Sequence, residues 1–345
     1  MKDCLFENGI IFTSDDTDLY ADAMLVSDGM IQWIGKKEEI PKGEYEHVDL
    51  KGACVIPGFI DAHMHPVMLA DFSKKISALP PEVHSIEELK GKIRQVRGNQ
   101  KQGEWIEGWG YDEGKFAEKR SLNRYDLDEG CSDSPVSITR TCGHIRCVNS
   151  KALEIAGITR ETPDPEGGEI ERDADGEPTG VLKENARNLI LPFIPAESRE
   201  DKIRNLVDLG ELLKSQGIVA VCDMGNLDNG DNFPLYEAAA KQGYCQETAI
   251  YYMWDYFADD PDFNIPEEHR KKDRQIFAAG LKLIGDGSVS GRTAWMNKPY
   301  LGTKNEYGIS TCSDNLLESA IAFCKKNHCQ LSMHAMGRQC NYPCR

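Results

Sequence analysis

Three stretches of this sequence end in residues able to hold a metal ion or move a proton. The first, Ala53-Cys54-Val55-Ile56-Pro57-Gly58-Phe59-Ile60-Asp61-Ala62-His63-Met64-His65, is an apolar run that closes on two imidazoles. Its length and flanks suit a buried strand whose C-terminal end opens into a site. Where such a strand frays, both rings can turn onto one ion, with Asp61 as a hydrogen-bond partner behind one of them. In the second, Lys282 sits in an apolar stretch that ends Ile284-Gly285-Asp286-Gly287-Ser288. Burial disfavours the charged form of a lysine, and the neutral amine can serve as a nucleophile or, once carbamylated, as a bridging metal ligand. The other reading is a lysine whose ammonium reaches solvent. The third stretch, Leu331-Ser332-Met333-His334, ends in a histidine that is either a further ligand or a hydrogen-bonded core residue.

Two more places carry polar chemistry. His144, in Thr141-Cys142-Gly143-His144, lies just before a helix cap, where it either meets substrate or is solvated, and Cys142 beside it is the one thiol to watch for reactivity. Glu184, closing Gly180-Val181-Leu182-Lys183-Glu184, is either a substrate contact or a favourable charge at a helix N-terminus. Trp105, Trp109, Tyr111 and Trp295 either line an apolar pocket or fill core. Phosphate-binding, dinucleotide-binding and nucleophile-elbow spacings are absent. The Asp173/Asp175/Gly176 cluster fails as a calcium loop because Leu182 stands where the twelfth-position Glu belongs.

The elements that must position these residues are legible in outline. Residues 1–52 read as short strands, with Asn8-Gly9 and Asp28-Gly29 as hairpin turns. Residues 53–65 form the first strand of a parallel sheet, and 66–216 a long excursion. Within the excursion, Ser85 opens a capping-box helix that stops at Gly98, Ser150 caps a short helix closed by Gly157, and Asp175-Gly176 is a hairpin tip. Glu197–Gln216 is amphipathic and helical. From residue 217 strands and helices alternate: strands at Ile218–Asp223, Thr248–Trp254, Leu281–Asp286 and Gln330–His334, helices at Pro234–Gln242, Glu267–Ala279 and Asp314–Asn327. Such alternation means an α/β fold with a parallel sheet, doubly wound or closed into a barrel, and both of these place sites at the C-terminal ends of strands.

Forty Lys and Arg against 57 Asp and Glu give a net charge of −17 over 345 residues. This argues against nucleic acid or an anionic membrane as the main partner, since both need a basic footprint. No apolar run approaches a membrane span, and acids stand at the N-terminus where a signal peptide needs an apolar core, so a cytoplasmic location is expected. The twelve cysteines form no C-x-x-C pair and read as reduced, small apolar residues.

Together the motifs resemble a known family. Pro57-Gly58-Phe59-Ile60-Asp61-Ala62-His63-Met64-His65 resembles the first-strand signature of the metal-dependent amidohydrolase superfamily. Gly143-His144 through Asn149-Ser150, Pro178-Thr179 through Lys183-Glu184, Lys282 through Ser288, and His334-Ala335-Met336-Gly337 are similar to its YtcJ-like branch, which includes N-substituted formamide deformylases. The resemblance implies a (β/α)8 TIM-like barrel with a flanking β-sandwich and a large insertion after strand 1. It makes His63, His65, Lys282 and His334 ligands of zinc, as one or two divalent ions. Lys282 and Asp286 would carry the chemistry, and His144, Glu184 and Trp109 would meet a small amide or formamide substrate. Such barrels also draw a His from strand 6 and an Asp from strand 8. Here the chain stops eight residues after Gly337, and residues 338–345 read as an aberrant tail. The expectation is an incomplete barrel of strands 1–5 whose open edge favours poor solubility or association into a homo-oligomer, with weak metal affinity and little turnover. Two other readings stand beside amide hydrolysis: an inactive fragment that at most binds metal, and a related hydrolase acting as a deaminase or on a C–O bond.

Overall fold

The N-terminal strands are set by tight turns and by a bulge. In the computed structural model, which describes residues 3–225, 230–289 and 292–337, β1 (Cys4–Phe12) runs antiparallel to β2 (Tyr20–Ser27), and β2 to β3 (Met30–Gly35). Asp28 and Gly29 make the second turn with positive φ at both positions, 50° and 77°, as a two-residue hairpin requires. Asn8-Gly9 does not turn the chain. It forms a bulge inside β1, where the register shifts between Glu7 and Ile11 and the Asn8 carbonyl accepts the Gly52 N–H at 2.7 Å. β4 (Glu46–Asp49) and β5 (Cys54–Val55) both pair in parallel with β1. Residues 53–65 are therefore not one strand: Pro57 lacks the N–H that a ladder needs, and β6 starts afresh at Phe59–Met64.

Two compact units divide the chain. One comprises the residues up to Asp61 with Gln216–Ala220, the other the remaining described residues. In the second unit β6 leads directly into α1 (Pro66–Phe72), a helix with Pro at its first position that the sequence reading missed. Residues 66–216 build their own sheet, in the order β11-β12-β10-β9-β8-β7. Its elements along the chain are β7 (Ile76–Ser77), α2 (Ile86–Asn99), β8 (Ile106–Tyr111), α3 (Arg124–Gly130), β9 (Val136–Arg140), β10 (Ile145–Val148), α4 (Ser150–Ala156), β11 (Gly168–Arg172) and β12 (Pro178–Glu184), followed by α5 (Arg199–Ser215). Ser85 caps α2 through the Glu88 N–H. The cap of α4 is Asn149 rather than Ser150, whose hydroxyl goes to Asp128 instead. Leu89 and Ile93 of α2 and Leu127 of α3 bury against Ile106, Val136 and Ile138, each side chain contributing about 1.5–3 kcal/mol by leaving water.

The third sheet has the order β16-β15-β14-β13-β6. It comprises β13 (Ile218–Asp223), β14 (Glu247–Met253), β15 (Ile276–Ile284) and β16 (Gln330–His334), with α6 (Phe233–Ala240) and α7 (Asp314–Asn327) between strands. β14, β15 and β16 pair in parallel. The expected helix over Glu267–Ala279 is a single 3-10 turn at Glu267–Arg270, and β15 has begun by Ile276, which pairs with Thr248. Arg274, held by Glu237 at 2.7 Å and Glu268 at 3.1 Å, ties the intervening loop down where a helix would have run on. Residues 338–345 lie outside the described residues, and no helix among those described is long and apolar enough to cross a membrane.

Beyond β15 the chain is organised by Asp286, which is fully buried. Its Oδ2 accepts the Trp295 N–H at 2.8 Å and the Gly337 N–H at 2.5 Å, and its Oδ1 accepts the Met336 N–H at 2.8 Å. A neutral amide cannot accept as strongly from three donors, and its own NH2 would face one or more of them. Asp286→Asn should therefore lose about 2–3 kcal/mol of stability, or ~4–6 °C in Tm. Thermal unfolding followed by far-UV circular dichroism measures this; a wild-type midpoint would mean that the carboxylate does not hold these segments.

Candidate functional site

Strand parity explains how four of the predicted residues meet. His63 and His65 are two apart at the end of β6 and so leave it on the same face. On β15 the same rule sends Lys282 and Ile284 one way and Leu281 and Leu283, both fully buried, the other. Register carries the alignment outward: Met253 of β14 pairs with Lys282, and Ile284 with His334 of β16. The result is a cavity of about 120 Å³ lined by His63, His65, Lys282 and His334, with Met68, Met224, Met253 and Ile284 as its apolar wall.

The histidines carry usable constraints. The rings of His63 and His65 lie 5.7 Å apart at 77°, and two imidazoles sharing one ion through bonds of about 2.0–2.1 Å would sit at roughly this separation. Nδ1 of His65 lies 2.6 Å from the Gly225 carbonyl, which can only accept, so that nitrogen bears the proton and Nε2 keeps its lone pair. By the same logic Nε2 of His334, 3.2 Å from the Gly287 carbonyl, donates, and Nδ1 holds the lone pair of the neutral ring. Lys282 is only 3% exposed, and burial pushes its pKa down. Among the described residues no carboxylate reaches its amine.

Imidazole nitrogens are donors that a divalent ion such as zinc takes readily, so the donor chemistry fits a metal. The described residues nevertheless supply donors rather than a closed shell, because no group of three or more His, Cys, Asp or Glu side chains among them is arranged around a common point.

The other predicted residues lie elsewhere. Asp286 does not line the cavity, and its oxygens are occupied by main-chain N–H groups as described above. His144, just before β10, and Glu184, at the end of β12, pair with each other, Nδ1 to Oε2 at 3.0 Å; both are well exposed and neither lines the cavity. Glu184 holds a φ of 48°, unusual for a side chain with a Cβ. Trp109 stacks on Phe72 at 5.0 Å and donates its indole N–H to the Phe72 carbonyl, bracing the far end of α1, the helix that begins beside His65. Tyr111 is core, and Cys142 is exposed, its sulfur accepting the His144 N–H.

Sequence reasoning passed over Asp223, Met224 and Gly225, although the signal was present. Ile218–Asp223 is an apolar strand ending in a polar residue, the same pattern that marked His63, Lys282 and His334.

The chain is similar to several known proteins. YtcJ of Bacillus subtilis (strain 168) is 30% identical over 346 aligned positions, covering 96% of this chain and 63% of YtcJ, so the chain spans less than two thirds of that relative. N-substituted formamide deformylase of Arthrobacter pascens is 35% identical over 193 positions, 55% of this chain and 36% of that protein. An uncharacterized metal-dependent hydrolase of Pyrococcus furiosus superposes with a TM-score of 0.71 at 23% identity, covering 98% of this chain and 68% of the other, a likeness of fold. The profile of the Amidohydrolase family matches residues 46–339. The chain belongs to the amidohydrolase family.

Proposed function

We propose that this chain is the metal-binding part of a hydrolase that cleaves a non-peptide C–N bond in a small amide, with N-substituted formamides as the first substrates to try. The observation that carries the reading is the convergence of His63, His65, His334 and the buried Lys282 on one small cavity at the ends of parallel strands. Membership of the amidohydrolase family and the match to a formamide deformylase support it. On this reading the third sheet is strands 1–5 of a (β/α)8 barrel, the N-terminal sheet belongs to a β-sandwich, and the second sheet is an insertion after strand 1.

A divalent ion, zinc on this reading, would supply Lewis acidity toward water and toward the attacked carbonyl. The chain's own part is to bind and orient. His63, His65 and His334 would be the imidazole donors to the ion, with His65 fixed by the Gly225 carbonyl in the tautomer that presents Nε2. Lys282 would add its amine, or the carbamate formed on it, as a further ligand. The methionine walls exclude water around the acyl group. Hydrolysis adds water across the carbonyl and breaks the C–N bond, so a formamide gives formate and an amine.

Three measurements test this. Incubation with a panel of N-substituted formamides should release the amine and formate in equal amounts; ammonia as the product would replace the reading with deamination. His63→Ala combined with His65→Ala should weaken Zn2+ binding by about 100-fold or more while leaving the far-UV spectrum intact; unchanged zinc content would remove β6 from the metal site. Lys282→Met should remove a buried amine that no carboxylate among the described residues reaches, and raise stability by roughly 1 kcal/mol, about 2 °C in Tm, while lowering metal affinity or turnover. A less stable Lys282→Met variant would show that the amine has a structural partner instead.

A further inference from the structure

Behind His65 lies a turn whose middle residue, Met224, belongs to the cavity wall and whose first, Asp223, does not. The Asp223 side chain is fully buried at the end of β13. Its Oδ1 accepts the Gly225 N–H at 3.0 Å, and its Oδ2 accepts the hydroxyl of Tyr236, on α6, at 2.8 Å. The turn is then fastened to β6 and α1 at two points. The Met224 N–H donates to the Met64 carbonyl at 2.9 Å, and Nδ1 of His65 donates to the Gly225 carbonyl at 2.6 Å. Gly225 has a φ of 80°, and a Cβ there would come within 2.6 Å of Met253 Cγ, so the turn is shaped for glycine and for this one path.

We propose that Asp223 is a positioning residue for His65: by fixing the 223–225 turn it holds the Gly225 carbonyl where the ring must keep its proton on Nδ1 and present Nε2 to the cavity. Tyr236 braces the carboxylate from α6. A carbonyl behind a ligating imidazole sets both the tautomer and the orientation of the ring; here that carbonyl is itself held by a buried charge two residues earlier. The inference rests on the reading of His65 as a metal ligand, but its tautomer half can be examined without metal.

The test uses the 345-residue chain, Zn2+ alone as the probe, and two readouts: zinc affinity by competition with a chelator, and the ring-nitrogen NMR shifts of His65 in metal-free protein. Asp223→Ala should weaken zinc binding by about 10–100-fold and shift His65 from the Nδ1–H form toward a mixture of tautomers. Asp223→Asn retains an acceptor for the Gly225 N–H and should fall between Asp223→Ala and wild type on both scales. A folded Asp223→Ala chain with wild-type affinity and wild-type His65 shifts overturns the proposal. If Asp223→Ala does not fold, Asp223→Asn and Tyr236→Phe decide it by the same readouts, and wild-type behaviour in both overturns it. His65→Ala separates this failure from that of the metal reading. Intact zinc affinity in His65→Ala would remove His65 from the metal site, while the tautomer readout in the Asp223 variants still judges Asp223.

Discussion

A carboxylate sealed from water has to find its hydrogen bonds within the protein, and Asp286 finds three main-chain N–H groups drawn from two separate segments. That requirement shapes the C-terminal side of the site. Trp295 arrives through the long loop after β15, and Met336 and Gly337 follow His334 out of β16, so one anion gathers both strand ends. Breaking such an arrangement from one side leaves buried donors unanswered, which costs more than the bonds themselves contribute. The position of His334 therefore depends on a residue that does not touch the cavity.

Much of the site was readable because each contributor obeys one rule, an apolar strand that ends in a polar side chain. His63, His65 and His334 follow it, Lys282 lies two residues before the end of its strand, and parallel pairing brings such ends together. The rule says where a residue sits and not what it bonds to. Asp286 obeys it and spends both oxygens on backbone; Asp223 obeys it equally and stands behind a histidine. The difference lies in partners far along the chain, which local pattern does not reveal. The fold shows the same division. Asp28-Gly29 was read correctly because the turn is local, whereas Asn8-Gly9 became a bulge because the 50–53 segment bonds to it from outside. Likewise, the acidic and basic residues over 267–275 have helical character, but the ion pair of Arg274 with Glu237 of α6 and the pairing of Ile276 override it.

The second sheet contributes at a distance. Trp109 does not reach the cavity; it props the end of α1 through Phe72, and α1 starts where His65 leaves β6. His144 and Glu184 are joined to each other across β10 and β12, with main-chain and side-chain bonds in register. What connects the second sheet to the cavity is a helix, and helices transmit position along their length.

Three of the four apolar wall residues of the cavity are methionines. An unbranched thioether has three rotatable bonds and a polarizable sulfur, so such a wall fits groups of different outline at little cost in packing. The shape of this wall therefore discriminates weakly among the groups that could occupy the cavity. The same softness has a chemical side: thioethers oxidise to sulfoxides, and one added oxygen would make this apolar lining polar. The lining of this cavity ties tolerance toward its ligands to vulnerability toward oxidants.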